Sequence, residues 1–321
     1  MLGDGSRPGL RTLVVGGGGF IGSHFVRRLT ETGDRDVVVV GRSPAPRFPL
    51  PESVRYIPGN VGESDFVNDL LDDCDEVVDL AYATVPKTSF DDPVYDVLAN
   101  LPATVNLLRQ SAERCLRRVL LVSSGGTVYG NACYLPIDES HPTNPVSPYG
   151  ITKLAAEKYA LLFHRLKGLP VVIVRPGNPY GPNQLGNLNQ GFIGTAMFAT
   201  LNRQRIAVFG ETGTVRDYIY VEDLAEGLMA ALEHGVPGET YNIGTGIGFN
   251  NQAVLSLLDS VVRPTGYSVE RETLAERAFD VAANVLSSAR LTYVSSWRPR
   301  TELASGLARS WAWALDTVRD R

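Results

Sequence analysis

Cysteine is scarce in this chain, with three in 321 residues, at positions 74, 115 and 133. They are odd in number, far apart and unaccompanied by a CxxC pair or a His/Cys cluster, so neither a disulfide framework nor a zinc site is indicated and no metal is expected. Long apolar runs are missing too. The longest are strand-like stretches such as Val37-Val38-Val39-Val40, too short to cross a membrane as a helix. There is no basic excess: 30 Lys+Arg stand against 35 Asp+Glu, a formal net charge of −5, with no dense Lys/Arg block. That balance argues against nucleic acid and anionic membrane as partners. Met1 to Arg11 is rich in Gly, Pro and Arg and lacks the apolar stretch of a signal peptide, so a cytoplasmic location is expected. The 32 Gly and 20 Pro are scattered, which excludes collagen and low-complexity tracts. What is present is 44% apolar residues, ample for the core of one large domain or two modest ones.

Short β-branched runs alternate with helical patterns through the first half. Strands are predicted at Thr12–Val15, Asp36–Val40, Val54–Ile57, Glu76–Leu80, Arg118–Val122 and Val171–Val174, with helices at Phe20–Thr30, Val94–Arg114 and Tyr149–Leu166. Continuous Val/Leu strands read as buried on both faces, and parallel strands need crossover helices. The expected fold is therefore α/β, a doubly wound parallel sheet with a smaller interleaved C-terminal lobe. After Arg175 the regularity fails: Pro176, Gly177, Pro179, Gly181, Pro182 and Gly186 crowd one loop before a helix near Phe192–Leu201. A strand-helix unit follows at Tyr218–Glu233, then strands at Thr240–Ile243 and around Tyr267–Glu270. This divides the chain into a dinucleotide-binding core at 10–175, to which 217–243 return, and a substrate lobe at 176–216 and 244–321.

Gly16, Gly19 and Gly22, with Phe20 and Ile21 between them, join the first strand to the first helix. Such glycines allow a tight turn, let a pyrophosphate approach the backbone and set it against the positive helix N-terminus. An NAD site usually carries an acid at the end of the second strand to bond the ribose 2′-OH. Here that strand ends Gly41-Arg42-Ser43. Gly41 leaves room for a phosphate, Arg42 can pair with it and Ser43 can donate to it, which favours NADP(H), with NAD(H) the alternative. Asn60 and Val61 follow the third strand, where the Asn60 carbonyl can accept from an adenine amine; Leu80 and Ala81 end the fourth and join the cofactor-binding set.

Tyr149 and Lys153 open a long helix, and their four-residue spacing puts them on one face. A nearby ammonium favours the phenolate, so the pair can give or take a proton at an alcohol oxygen while hydride moves. They follow Arg118-Val119-Leu120-Leu121-Val122-Ser123-Ser124, a strand whose carboxyl end faces the cofactor cleft in such sheets.

Five further segments occur in order: Ser123–Gly130 (SSGGTVYG), Ser147–Lys153 (SPYGITK), Arg175–Pro182 (RPGNPYGP), Val215–Leu224 (VRDYIYVEDL) and Arg277–Asp280. With the glycine loop they resemble, from about Arg11 to about Leu307, an extended short-chain dehydrogenase/reductase of the NAD-dependent epimerase/dehydratase family, whose members act on sugar nucleotides. The resemblance implies that Tyr149 is the acid/base and that Lys153 holds the nicotinamide ribose and lowers the phenol pKa. The hydroxyl that usually relays the proton falls on Gly125, so Ser124 or Thr127 serves in its place. It further implies that Asn178 bonds the nucleotide diphosphate, that Arg216 and Arg277 clamp phosphate, that Asp280 holds the nucleoside ribose, and that the protein is a homodimer through the helices at about Val94–Arg114 and Tyr149–Leu166. Thr84 stands where some epimerases have a cofactor-contacting lysine.

Dehydratases of that family carry an Asp-Glu pair where this chain has Gly126 and Thr127, which disfavours 4,6-dehydration. A 4-ketoreductase and a 4-epimerase remain. With Arg42 and Ser43 read as an NADPH site, the expectation is NADPH-dependent reduction of a nucleotide-linked, dTDP-type 4-keto-6-deoxyhexose, with a UDP-glucose 4-epimerase-like reaction as the alternative.

Overall fold

The computed structural model describes residues 9–184, 191–277 and 281–319; Gly186 and the expected ribose ligand Asp280 lie outside them. In chain order, β1 (Leu10–Val15) leads into α1 (Phe20–Glu31), followed by β2 (Arg35–Gly41), β3 (Arg55–Pro58), α2 (Ser64–Leu71), β4 (Glu76–Asp79), α3 (Pro86–Asp91) and α4 (Pro93–Ser111). Then come β5 (Arg118–Val122), the one-turn α5 (Gly125–Val128), α6 (Pro148–Lys167), β6 (Val171–Pro176), β7 (Asn178–Tyr180), α7 (Phe192–Leu201) and β8 (Ile206–Phe209). The chain continues through β9 (Val215–Tyr220), α8 (Val221–His234), β10 (Thr240–Ile243), β11 (Gly248–Asn250), α9 (Asn251–Val262), β12 (Arg271–Leu274), β13 (Ala283–Asn284), α10 (Ala289–Ser295) and α11 (Leu303–Arg319).

Seven strands form one sheet in the order β10-β6-β5-β4-β1-β2-β3, every neighbour parallel. This is the doubly wound Rossmann fold that the valine runs predict. Val37 and Val39 pack into the core on one face, Val38 and Val40 into the core on the other. The order reverses between β1 and β4, and ligands bind outside the carboxyl ends of strands at such a switch point. No helix among the described residues is long and apolar enough to cross a membrane.

A second sheet runs β11-β9-β13, with β7 also paired to β9. Asn178 lies opposite Tyr218 in register, and Arg216 opposite Asn284. Residues two apart on a strand share a face, so these four stand on the same side of that sheet. Tyr218 and Tyr180 join Ile193, Met197, Leu255, Leu307 and Trp311 of α7, α9 and α11 in a separate apolar cluster.

The strand expected around Tyr267–Glu270 is displaced. Pairing with β8 begins at Arg271, while Tyr267 and Val269 are spent as packing for the α9/α11 core. Helix α2 goes unpredicted because it has only eight residues, too few for a helical period to stand out.

Candidate active site

Gly16 adopts φ +80°, and a Cβ there would stand 2.9 Å from the Ala81 amide nitrogen, so the loop after β1 and the loop after β4 touch only because that side chain is missing. A Cβ on Gly22 would collide with the Gly16 carbonyl. Gly19 caps α1 without a side-chain hydrogen bond, leaving the first N–H groups of the helix to an anion. Phe20 and Ile21 form the first turn, and Leu80 and Ala81 lie across the gap. This cradle fits the pyrophosphate of a dinucleotide.

The end of β2 differs from expectation. The space beside Gly41 is already taken: a Cβ there would lie 2.6 Å from the Tyr56 hydroxyl, which donates to the Ser43 carbonyl at 2.8 Å. Gly41 is therefore required by Tyr56, and it does not leave an open phosphate slot; Arg42 and Ser43 themselves are exposed. Asn60 is likewise partly committed, since its side-chain oxygen accepts the Gly62 amide at 3.0 Å, closing a local turn. Val61 is buried in the core beneath α4, and its carbonyl accepts from Asn106 at 3.1 Å. Gly41→Ala is expected to destabilise the protein by about 1–3 kcal/mol through overpacking. Adding Tyr56→Phe should recover most of that loss in chemical denaturation, and no recovery would remove Tyr56 as the reason for the glycine.

Helix α6 begins where Ser147 accepts the Gly150 amide at 3.1 Å, with Pro148 at the first helical position. That start presents Tyr149 and Lys153 to the carboxyl ends of β4 and β5. Lys153 Nζ donates to the Val122 carbonyl at 2.8 Å. Burial lowers its pKa to about 8, against the pull of Asp79, Glu157 and Asp96. Burial also pushes the Tyr149 phenol up, with Asp96 adding to the rise and a hydrogen bond from Ser124 opposing it. In the protein alone, loss of hydration thus raises the Tyr149 phenol, and Ser124 is the group that opposes the rise.

Ser124, not Thr127, is the hydroxyl close enough to Tyr149 to oppose the rise of its pKa. A Cβ at Gly125 would stand 2.9 Å from the Arg175 carbonyl and 2.5 Å from Leu286 Cδ1, so no hydroxyl-bearing residue fits that position. The Thr127 hydroxyl is buried and finds no partner among the described residues. Asn178 Oδ1, buried and also without a described partner, lies 3.5 Å from where a Gly126 Cβ would be, a position 3.9 Å from Ser124 Oγ. Asn178 thus stands beside the reacting end of the site. Arg216 donates to the Val215 carbonyl at 2.8 Å on the same sheet face. Arg277 stacks its guanidinium 3.3 Å above the Phe209 ring, which leaves the N–H edge, and not the face, for an anion.

Four residues of this region are given no role by the sequence. Asp217, fully buried, accepts the amides of Thr245 (2.8 Å), Gly246 (3.0 Å) and Leu286 (3.1 Å) and the Thr245 hydroxyl (2.6 Å), holding three segments beside Arg216. Asn284 donates to the Gly125 carbonyl at 3.0 Å. Tyr82 and Asp96 lie against Tyr149 and Lys153. Tyr82 had an available signal in its place just past the carboxyl end of a switch-point strand, and Asp217 in its place beside Arg216 in the VRDYIYVEDL segment.

A Rossmann sheet, a glycine cradle at its switch point and a Tyr-Lys pair on the adjoining helix are the features of a dinucleotide-dependent enzyme. The chain belongs to the NAD dependent epimerase/dehydratase family, whose model matches residues 12–244. It is 30% identical to the UDP-glucose 4-epimerase of Mycolicibacterium smegmatis, over 94% of this chain and 97% of that protein. The structure of the Thermotoga maritima UDP-glucose 4-epimerase with UDP-glucose superposes with a TM-score of 0.90 at 30% identity, covering 96% of this chain and all of the other. The dTDP-glucose 4,6-dehydratase of Streptomyces venezuelae with NAD bound gives 0.87 at 26% identity, covering 96% and 97%.

Proposed function

We propose that this protein is an NAD-dependent 4-epimerase of a UDP-hexose. The observation that carries this reading is the likeness, over nearly the whole chain, to UDP-glucose 4-epimerases, on a site whose Gly126 and Thr127 supply no acid for expelling water. Bound in the cradle, oxidised nicotinamide supplies a hydride acceptor and a positive charge beside the phenol. Tyr149 then takes the proton from the sugar O4 and gives it back after the hexose has turned, with the Ser124 hydroxyl bridging phenol and substrate. Lys153 holds the nicotinamide ribose. Asn178, Arg216 and the edge of Arg277 hold the diphosphate and the adjoining sugar. With NAD held there as hydride acceptor and donor, the reaction would consume no cofactor.

A second reading, NADPH-dependent reduction of a 4-keto-6-deoxyhexose, draws on the missing acid and the presence of Arg42 at the end of β2. The Tyr56 hydroxyl at Gly41 weighs against it. Purified protein given UDP-galactose or UDP-N-acetylgalactosamine without added cofactor should form the gluco epimer, read by anion-exchange chromatography, and its extracted nucleotide should be NAD. Inertness toward both, together with oxidation of NADPH by a dTDP-4-keto-6-deoxyhexose, would replace the epimerase with the reductase. Exposed Val94, Val97, Leu98, Ile151, Leu162 and Leu166 on the packed pair α4/α6 support a homodimer through that face, and a monomer mass in sedimentation would exclude it.

A further inference from the structure

Tyr82 sits in the loop that leaves β4, and its ring occupies the centre of the site. Lys153 Nζ lies 4.1 Å from the ring centroid. The Tyr149 ring meets the same side chain edge-on, 4.7 Å between centroids and 65° between planes. The loop that carries Tyr82 is tied down on the next two residues. Ala83 donates its amide to Asn100 Oδ1 at 2.7 Å, and the Thr84 hydroxyl bonds Asp96 Oδ1. Asp96 is fully buried in α4, and its second oxygen accepts from the Thr152 hydroxyl at 2.6 Å. Thr152 lies between Tyr149 and Lys153 on α6. One buried carboxylate therefore joins the Tyr82 loop to the helix bearing the reacting pair.

We propose that Tyr82 is a positioning residue for the proton-transfer pair, its ring face holding the Lys153 ammonium and its edge contact fixing the Tyr149 ring. A lysine carries a flexible four-carbon stem, and its ammonium is strongly hydrated when free. Here one hydrogen goes to the Val122 carbonyl, and the negative face of an aromatic ring takes the place of water on another side. Edge-to-face contact with a second aromatic restricts the Tyr149 ring in the same stroke. The other groups around Lys153 are Asp79 at the end of β4, Asp96 on α4, and Tyr149 and Glu157 on its own helix, with Arg175 of β6 bonded to Glu157. The assignment rests on Tyr149 and Lys153 being the reactive pair and not on which sugar they turn over.

The test compares Tyr82→Phe with Tyr82→Leu and Tyr82→Met in the full chain. Competitive acetylation with acetic anhydride across pH, read by mass spectrometry on the Lys153 peptide, gives the titration midpoint without turnover. Phe keeps the ring and should keep both midpoint and kcat. Leu and Met still exclude water but lack the negative ring face, so the midpoint should fall by about one pH unit, and kcat by about tenfold with KM unchanged. If Leu fails to fold, as judged by circular dichroism, Met carries the comparison. Leu or Met titrating like Phe would overturn the proposal, and so would a Phe variant as impaired as Leu, since the hydroxyl would then be the working part. Should no sugar nucleotide be turned over, the acetylation midpoints still decide the role of Tyr82 while the epimerase reading fails separately.

Discussion

Tyr149→Phe is expected to lower epimerisation by about a thousandfold while the dinucleotide stays bound. Proton transfer by a positioned side chain contributes on the order of 10²–10⁴ in rate, and Tyr149 opens α6 with the Ser124 hydroxyl close to its phenol. The ring that remains in the variant still meets Tyr82 edge-on, so packing is preserved and only the transferable proton is lost. The pyrophosphate cradle lies at the end of β1 and does not depend on the phenol. Steady-state turnover of UDP-galactose, with NAD quantified after denaturing the same sample, separates the two effects. A variant keeping more than about a tenth of parent activity would take the proton transfer away from Tyr149.

Glu157→Gln is expected to destabilise the protein by about 3–5 kcal/mol, because it leaves a buried guanidinium without its counter-charge. Glu157 lies one turn beyond Lys153 and is 1% exposed, while its partner Arg175 is 6% exposed. The pair is bidentate, with Arg175 Nε and Nη2 donating to the two carboxylate oxygens at 2.9 and 2.5 Å. Ser123 donates to the same carboxylate at 2.5 Å, and Arg175 Nη1 donates to the Tyr129 hydroxyl at 2.9 Å, which passes its own hydrogen to Asn242 at 2.7 Å. The network thus ties α6 to β5, β6 and β10 directly behind Ser124. Replacing both partners, Glu157→Met with Arg175→Met, should recover most of the stability, since two apolar side chains of similar volume leave no charge behind. Urea denaturation of the single and double variants checks this. A double variant as unstable as the single would mean that the surrounding hydroxyls, and not the charge, set the cost.

The residues that sequence alone could interpret are those whose job is local. Four consecutive valines at 37–40 determine a strand buried on both faces, and the structure alternates them between two cores. Gly16 and Gly22 determine a tight turn because no other residue fits the backbone there. Tyr149 and Lys153 share a helix face by spacing alone. Where sequence reasoning missed, the partner was distant along the chain. Gly41 looked open for a phosphate, but Tyr56 from the neighbouring strand fills it. The burial that raises the Tyr149 phenol is visible only once α6 is packed against the loop after β4.

By itself, then, the sequence determined the α/β class, the glycine turn after β1 and the shared helix face of Tyr149 and Lys153, because backbone period and steric fit are written in residues close to one another. Only the tertiary structure decided the neighbours of that pair. Sheet order sets β4 beside β1 and β5, and this brings Tyr82, Asp96 and Ser124 around Tyr149. Hydration, and with it the protonation of Tyr149 and Lys153, follows from that crowding and not from any spacing along the chain.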